Sequence, residues 1–162
     1  MLAPWKEMKL IRPEDLEKRV AKLRQRGRTI ALLNGSFDLV HVGHLHIIYH
    51  ASKQSDDLIV ALNTDRSIRE YKSLSRPILP LDQRLQMVAA LQFVDFVTHF
   101  DEVDACKLLR RVRPEVYVNG SEYGRECVES KIVEEYGGST YIVKLLPNIS
   151  TTNLIGKIRS CA

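Results

Sequence analysis

Five short apolar runs recur along the 162-residue chain, and the segments between them have the composition of helices. Each run has about the length of a β-strand, and strands that alternate with helices are typical of a parallel sheet covered by helices on both faces. A chain of this length can bury such a core in one domain. We therefore predict an α/β fold, a single domain on a doubly wound parallel five-stranded sheet. The predicted strands are 29–33, 57–63, 94–98, 115–119 and 140–143.

Capping residues mark the ends of the predicted helices. Proline and two acids at 13–15 begin a helix that ends at Gly27, and the glycines at 137–138 predict a left-handed C-cap. The stretch 72–80 contains two prolines and should be an exposed loop. We expect one domain over residues 1–162, with 1–27 as a helical lead-in. The other predicted helices are 45–52, 65–71, 81–91, 104–111, 126–136 and 150–159.

Charge and cysteine content narrow the class of protein. The formal net charge of +4 is only mildly basic and the cations are spread along the chain, so the sequence does not demand a nucleic-acid partner. Three widely spaced cysteines are typical of reduced thiols. No apolar run approaches the roughly 20 residues that span a bilayer, and the amino terminus lacks the apolar core of a signal peptide. We expect a cytoplasmic protein without a membrane or nucleic-acid partner.

The segment 34–44 carries the strongest functional signal, because it reads Asn-Gly-Ser-Phe-Asp-Leu-Val-His-Val-Gly-His between a predicted strand and a predicted helix. The first turn of such a helix presents free N–H groups that favour anions. Gly35 permits a sharp turn, and Gly43 removes a side chain where a phosphate would approach. His41 and His44 are three residues apart and can aim N–H donors at one point. The segment therefore predicts a phosphate-binding site.

Two other interpretations of the histidines remain open at this point. They could simply cap a helix, and Asp38 beside them could serve only as a turn former. A zinc site is a further alternative, because four imidazoles lie within ten residues. On one helix, however, His46 and His50 share a face while His44 lies well round from His50, and no carboxylate or thiol is spaced to complete the ligand set. We predict no metal site formed by the protein itself.

Three more segments should reach the same edge of the sheet. Lys72 and Arg76 project from the loop 72–80 and could close over a polyphosphate, or could be ordinary solvated charges. A run of three hydroxyls begins the last helix, where it offers N–H groups to an anion or merely caps the helix. A strand end followed by glycine could admit a base or a sugar, or be a simple turn. The hydroxyls are those of Ser150, Thr151 and Thr152, and the strand end is Asn119 followed by Gly120.

Taken together, these motifs resemble a known family. The sequence His-Val-Gly-His at 41–44 matches the H-x-G-H signature of the cytidylyltransferase-like nucleotidyltransferases, and Ile-Ser-Thr-Thr at 149–152 matches their second signature. The pair is much more specific than either half. Within that superfamily the chain resembles the adenylyltransferase domains of bacterial ADP-heptose synthases, which act on D-glycero-β-D-manno-heptose 1-phosphate. The resemblance extends over nearly the whole chain.

The resemblance implies a Rossmann-like nucleotidyltransferase fold and a reaction that joins AMP from ATP to a sugar phosphate, with Mg²⁺ neutralising the triphosphate. It implies that His41, His44 and Lys72 are the catalytic residues. It also implies a homodimer and a role in lipopolysaccharide biosynthesis. The nucleotide-binding residues would be Gly35, Ser36, Phe37, Asp38, Gly43, Asn119, Gly120, Ser150, Thr151 and Thr152, and the acceptor-binding residues Asn63, Asp65, Arg76, Arg84 and Glu122.

The sequence departs from this pattern at three places. Ser36 stands where relatives usually have cysteine, and Asn-Gly-Ser-Glu-Tyr at 119–123 stands where the heptose enzymes commonly have Lys-Gly-Gly-Asp-Tyr. The lead-in 146–148 lacks the arginine known from glycerol-3-phosphate cytidylyltransferases. A CTP-dependent enzyme acting on glycerol 3-phosphate or a similar polyol phosphate is therefore an alternative, and a nucleotide-binding regulatory protein without turnover is another.

Overall fold

Five parallel strands form a single sheet in the computed structural model, which describes residues 6, 8–122, 124 and 127–161. Their order is β3-β2-β1-β4-β5, and every neighbouring pair is parallel. This confirms the predicted doubly wound parallel sheet. The strands are β1 Ile30–Gly35, β2 Asp57–Asn63, β3 Phe96–Phe100, β4 Val116–Gly120 and β5 Ser139–Val143.

Seven α-helices accompany the strands in the described part of the chain, and a short 3-10 turn, Pro13–Asp15, precedes the first of them. None of these helices has both the length and the apolar character needed to cross a membrane. The helices are α1 Leu16–Gln25, α2 Val42–Ala51, α3 Asp65–Tyr71, α4 Leu81–Ala89, α5 Cys106–Val112, α6 Val128–Glu135 and α7 Thr151–Ser160.

The predicted and observed boundaries differ most where a hydrogen bond to another residue determines where a strand or helix begins. Strand β3 lies two residues later than predicted, since it pairs with β2 from Phe96 onward and the backbone of Val97 also bonds to residues 9 and 11. Helix α2 begins at Val42 rather than at 45 because the side chain of His41 caps it. Gly137 has a φ of 84° directly after α6, which confirms the predicted glycine cap. Residue 126, the predicted start of that helix, lies outside the described residues.

Helices cover both faces of the sheet, and the alternation of side chains along β1 shows how. Ile30 and Leu32 face one apolar cluster, which contains buried residues of α1, α5 and α6. Ala31 and Leu33 face the other cluster, which contains buried residues of α2 and α4. Burial on both faces explains why β1 and β2 are continuous apolar runs rather than alternating ones.

The strand order places a crevice between β1 and β4. The chain runs outward from β1 through β2 to β3, then returns to the other side of β1 to form β4 and β5. At such a reversal, successive helices lie on opposite faces and the carboxyl ends of the two strands border an opening that favours ligand binding. The segment 34–44 leaves β1 at this opening.

Candidate active site

A cavity of about 590 Å³ lies at the carboxyl ends of β1 and β4. This volume is within the range of small-molecule binding sites. The residues predicted to act in the site converge here from five separate stretches of the chain. Those that line the cavity are Gly35, Ser36, Phe37, His41, Gly43, His44, Asn63, Lys72, Arg76, Asn119, Gly120, Glu122, Ser150, Thr151 and Thr152.

His41 and His44 form a stacked pair at the start of α2, with ring centroids 3.9 Å apart and an interplanar angle of 20°. Nδ1 of His41 accepts a hydrogen bond from the backbone N–H of Gly43 at 3.1 Å, and Nδ1 of His44 accepts one from the backbone N–H of His41 at 3.3 Å. A ring nitrogen that accepts such a bond carries no proton, so in each neutral imidazole the proton is on Nε2. The pair therefore keeps both Nε2–H groups as donors for a ligand.

Burial keeps these imidazoles neutral in the free protein. The pKa of His44 is lowered to about 3, mainly by desolvation and also by the nearby His41 and Lys72, while Asp38 opposes the shift. Desolvation also lowers the pKa of His41. Neutral rings avoid mutual repulsion at 3.9 Å, yet each would gain from a negative charge placed against its N–H.

Gly35 acts differently from our sequence-based expectation. The left-handed residues of the loop are Phe37, with a φ of 46°, and Leu39, with a φ of 51°, so the sharp turn is not at Gly35. A Cβ on Gly35 would lie 3.1 Å from Cε2 of Phe37. A Cβ on Gly43 would lie 3.0 Å from the His41 ring and would also crowd a methyl group of the residue at 149. Both glycines thus make room for neighbouring side chains.

Asp38 is fully buried and lies outside the cavity lining formed by the described residues. Its carboxylate accepts hydrogen bonds from the backbone N–H groups of Ile78 at 2.9 Å and Leu79 at 3.0 Å, and lies 3.0 Å from Nε of Arg76. Its carbonyl oxygen accepts a bond from the Thr151 hydroxyl at 2.7 Å. Asp38 therefore joins the histidine segment to the loop 72–80 and to α7, which is a supporting position behind the cavity.

Arg84 and Asp65 also lie behind the cavity. The Arg84 side chain is fully buried and donates to the carbonyl oxygen of Ser36 at 2.6 Å, to that of Asn63 at 2.9 Å and to that of Leu79 at 3.0 Å. It also donates to the Asp65 carboxylate at 2.7 Å. With its guanidinium occupied in this way, Arg84 holds together the strand ends and the loop rather than facing the cavity.

Lys72 and Arg76 bring positive charge to the cavity that the histidines line. Lys72 donates from Nζ to the Ser36 hydroxyl at 3.0 Å. Although much of its side chain is exposed, desolvation of the ammonium group lowers the pKa of Lys72, and the charge of Arg76 lowers it further while Asp38 and Glu122 raise it. The predicted cationic loop thus directs two cations into the site.

The start of α7 supplies hydroxyls to the same cavity. Ser150 caps the helix by accepting the backbone N–H of Asn153 at 3.1 Å. Thr151 is held by its bond to Asp38, and Thr152 is exposed. The first N–H groups of a helix have no intrahelical acceptor, so this end of α7 favours an anion.

Sequence reasoning missed several residues of the cavity. Asn34 and Tyr117 lie side by side on β1 and β4, where the tyrosine hydroxyl donates to Asn34 Oδ1 at 2.8 Å. Asn34 directly precedes the glycine of the recognised segment, so its position at the strand end was a usable signal. No local pattern marked Asp104 or Glu129, which reach the cavity from the loop after β3 and from α6.

The zinc alternative finds no further support in the structure. Within the described ranges, no group of three or more His, Cys, Asp or Glu side chains could hold a metal ion. His46 instead bonds through Nε2 to the carbonyl oxygen of Lys144 at 3.0 Å, and its ring packs edge-on against His50.

Comparison with known proteins identifies this arrangement. The cytidylyltransferase-like family matches residues 32–160 of the chain, a range that includes both the histidine pair and the start of α7. The chain belongs to the cytidylyltransferase-like family. This cytidylyltransferase-like domain is a nucleotidyltransferase.

The sequence relatives of this cytidylyltransferase-like domain include longer bifunctional proteins. It is 41% identical over 136 residues to the bifunctional protein HldE of Syntrophotalea carbinolica, a match that covers 83% of this chain and 28% of the relative. It is 40% identical over 147 residues to HldE of Shigella sonnei, covering 90% of this chain and 31% of the relative. The chain thus spans less than a third of the length of these relatives.

Solved structures share the fold. A lipopolysaccharide core biosynthesis protein from Thermoplasma volcanium superposes with a TM-score of 0.60 at 26% identity, covering 74% of this chain and 98% of that chain. A pantoate-beta-alanine ligase from Francisella tularensis gives a TM-score of 0.60 at 17% identity, covering 94% of this chain and 79% of that chain, which is a likeness of fold alone. The predicted Rossmann-like nucleotidyltransferase fold is confirmed.

Proposed function

We propose that this nucleotidyltransferase transfers AMP from ATP to a sugar phosphate, with heptose 1-phosphate as the acceptor, and releases pyrophosphate. The observation that carries the proposal is the stacked His41–His44 pair, whose Nε2–H groups are kept as donors in a cavity of about 590 Å³ that Lys72 also lines. Neutral donors and an ammonium group around one space suit a triphosphate whose charge is redistributed as pyrophosphate leaves.

The chemistry needs positioning more than an enzymic nucleophile. An oxygen of the acceptor phosphate attacks the α-phosphorus of ATP, the bond from that phosphorus to the bridging oxygen breaks, and pyrophosphate departs with the electron pair. The acceptor phosphate is already ionised at neutral pH and needs no general base. His41 and His44 would donate to oxygens on the phosphates, Lys72 would stabilise the α-phosphate, and the start of α7 would hold the β- and γ-phosphates.

Magnesium would enter with the nucleotide. Asp38, the carboxylate within the histidine segment, already accepts bonds from two backbone N–H groups and lies against Arg76. Asp104, Glu122 and Glu129 line the cavity, but among the described residues no group of three or more His, Cys, Asp or Glu side chains could hold a metal ion. The residues present therefore fit an ion carried by the phosphate oxygens and water, where Mg²⁺ would neutralise charge on the triphosphate.

The choice of acceptor is supported by sequence likeness. The relatives that are 39–41% identical are bifunctional HldE proteins, and the resemblance of their transferase part to this chain implies ADP-heptose as the product. A structural neighbour at 26% identity is described as a lipopolysaccharide core biosynthesis protein. Heptose 1-phosphate, ATP and a role in lipopolysaccharide biosynthesis follow as parts of the proposal.

A substrate panel tests the proposal directly. The purified chain is incubated with Mg²⁺, with ATP or CTP, and with heptose 1-phosphate, other sugar 1-phosphates or glycerol 3-phosphate, and pyrophosphate release is measured. We expect release with ATP and heptose 1-phosphate, and its loss in His44→Ala. Turnover only with CTP and glycerol 3-phosphate would replace the proposal by the polyol phosphate alternative. Binding of nucleotide without pyrophosphate release from any pair would indicate a regulatory protein.

The homodimer implied by the family resemblance and the cytoplasmic location expected from the sequence stay part of the proposal. The mass in solution, measured by light scattering during size-exclusion chromatography, tests the first. A value close to 18.5 kDa would contradict the homodimer, whereas twice that value would support it.

A further inference from the structure

Ser36 and Lys72, which both line the cavity, are joined by a hydrogen bond. The Lys72 Nζ donates to the Ser36 hydroxyl at 3.0 Å, and 36 positions separate the two residues along the chain. Both residues line the cavity, Ser36 from the end of β1 and Lys72 from the end of α3. The bond therefore adds a contact near the cavity between two loops that Asp38 and Arg84 already join from behind.

The Ser36 side of this bond is rigid. The carbonyl oxygen of Ser36 accepts a hydrogen bond at 2.6 Å from Arg84, whose fully buried side chain also bonds to the ends of β2 and α3's first turn. The neighbouring residue, Phe37, is buried against the sheet. The Ser36 hydroxyl is thus an acceptor on a part of the backbone that Arg84 holds in place.

The Lys72 side of the bond is a long and exposed side chain. Its backbone N–H ends α3 by bonding to the carbonyl oxygen of Ile68 at 2.9 Å, after which the chain enters the exposed loop 72–80. A lysine side chain has many rotamers, and holding it at one point costs conformational entropy unless a partner fixes its end. For Lys72, the hydrogen bond to Ser36 supplies such a partner, because it holds the ammonium group against a different part of the chain.

The location of that ammonium group matters because of its neighbour. Lys72 and both histidines line the same cavity, and the charge of Lys72 is one of the causes that lower the pKa of His44. A cation already held there can bind the incoming phosphates without losing further side-chain entropy. This is the advantage of a preorganised site.

We propose that Ser36 is a positioning residue, whose hydroxyl holds the Lys72 ammonium group beside the histidine pair before a nucleotide binds. On binding, Lys72 keeps this hydroxyl as one acceptor and donates a second of its three N–H groups to a phosphate oxygen. This inference rests on the proposed function for its consequence in catalysis, but the bond itself is a property of the ligand-free protein.

A double-mutant cycle tests the proposal. The variants Ser36→Ala, Lys72→Ala and the double variant are compared with the wild type in kcat/KM for pyrophosphate release. We expect Ser36→Ala to lower kcat/KM roughly tenfold through loss of one bond to a charged group, and to have little further effect once Lys72 is alanine. An equal effect of Ser36→Ala in both backgrounds would overturn the proposal, because Ser36 would then act independently of Lys72.

Two controls separate positioning from general damage. Ser75→Ala removes an exposed hydroxyl of the same loop that bonds to Ser73 at 3.1 Å, and should leave kcat/KM unchanged. Ser36→Thr retains a hydroxyl and should recover activity relative to Ser36→Ala. Failure of this recovery, with the fold intact by circular dichroism, would count against the hydroxyl as the active feature.

The same cycle on ATP binding distinguishes this inference from the proposed reaction. The dissociation constant of ATP with Mg²⁺ is measured by calorimetry for all four proteins, which needs no turnover. Coupling between Ser36 and Lys72 in binding, with no pyrophosphate released from any acceptor, would retain the positioning role and overturn the transfer reaction. Turnover in the wild type without coupling in either measurement would overturn the positioning role alone.

Discussion

His41 and His44 each direct Nδ1 to a backbone N–H group, and their rings stack with centroids 3.9 Å apart. This mutual capping ties the tautomer of both rings to the first turn of α2. The helix start and the donor pair are therefore one local structure, because the bonds that begin the helix also fix which nitrogen carries the proton.

Replacing His44 by alanine should lower kcat for pyrophosphate release by about 10²–10³-fold, the loss observed when one donor to a developing charge is removed. His50→Gln is the matched control, since His50 lies on the same helix and its ring contacts only other aromatic rings among the interactions described. Both variants are assayed at saturating ATP. Equal losses in the two variants would indicate damage to α2 rather than loss of a catalytic donor.

The buried state of His44 predicts a pH dependence of stability. Its pKa is lowered from 6.5 to about 3 in the folded protein, so below pH 6.5 the unfolded chain binds a proton that the folded chain does not. Stability is therefore lost as the pH falls from 6.5 toward 3, and the loss due to this group reaches about 2 kcal/mol at pH 5. Urea unfolding at pH 7 and pH 5 should show a smaller decrease for His44→Gln than for the wild type. Parallel decreases in the two proteins would contradict this origin.

Asp38→Asn should destabilise the fold by about 3–5 kcal/mol, because it leaves Arg76 unpaired and weakens the acceptor for two backbone N–H groups in a buried position. The loop 72–80 should also become more sensitive to proteolysis. Asp82→Asn makes the same chemical change at an exposed ion pair, 2.7 Å from Lys6, and should alter the unfolding free energy by less than about 1 kcal/mol. If both substitutions changed the unfolding free energy by a comparable amount, Asp38 would not be the residue that holds these segments together.

Gly43→Ala should reduce activity more than stability. The added Cβ would lie 3.0 Å from the His41 ring and 3.2 Å from Cγ2 of Ile149, so the imidazole must move away from its bond to the Gly43 N–H. Gly156→Ala is the control within α7, where an added Cβ meets nothing within 4 Å and alanine favours the helix by about 1 kcal/mol. Unchanged kcat in Gly43→Ala would show that the His41 position is not critical.

Local patterns were sufficient for the elements of the fold. Strand β2 was predicted with its observed bounds, Asp57–Asn63, because a parallel strand buried on both faces is a continuous apolar run. The cap at Ser150 was predicted because a hydroxyl at the start of a helix can accept one of its free N–H groups. The boundaries that were wrong, such as that of β3, depended on hydrogen bonds to distant parts of the chain.

The sequence by itself determined the alternating architecture, the candidate phosphate-binding segments and, through their resemblance to a family, the class of reaction. Only the tertiary structure decided which polar residues face the cavity and which support it from behind. Asp38 and Arg84 have the same local appearance as ligand-binding residues, yet both are fully buried and bound to backbone groups from other loops. The reason is physical: local patterns report periodicity and capping over a few residues, whereas the partners of a buried charge come from anywhere that the fold brings close.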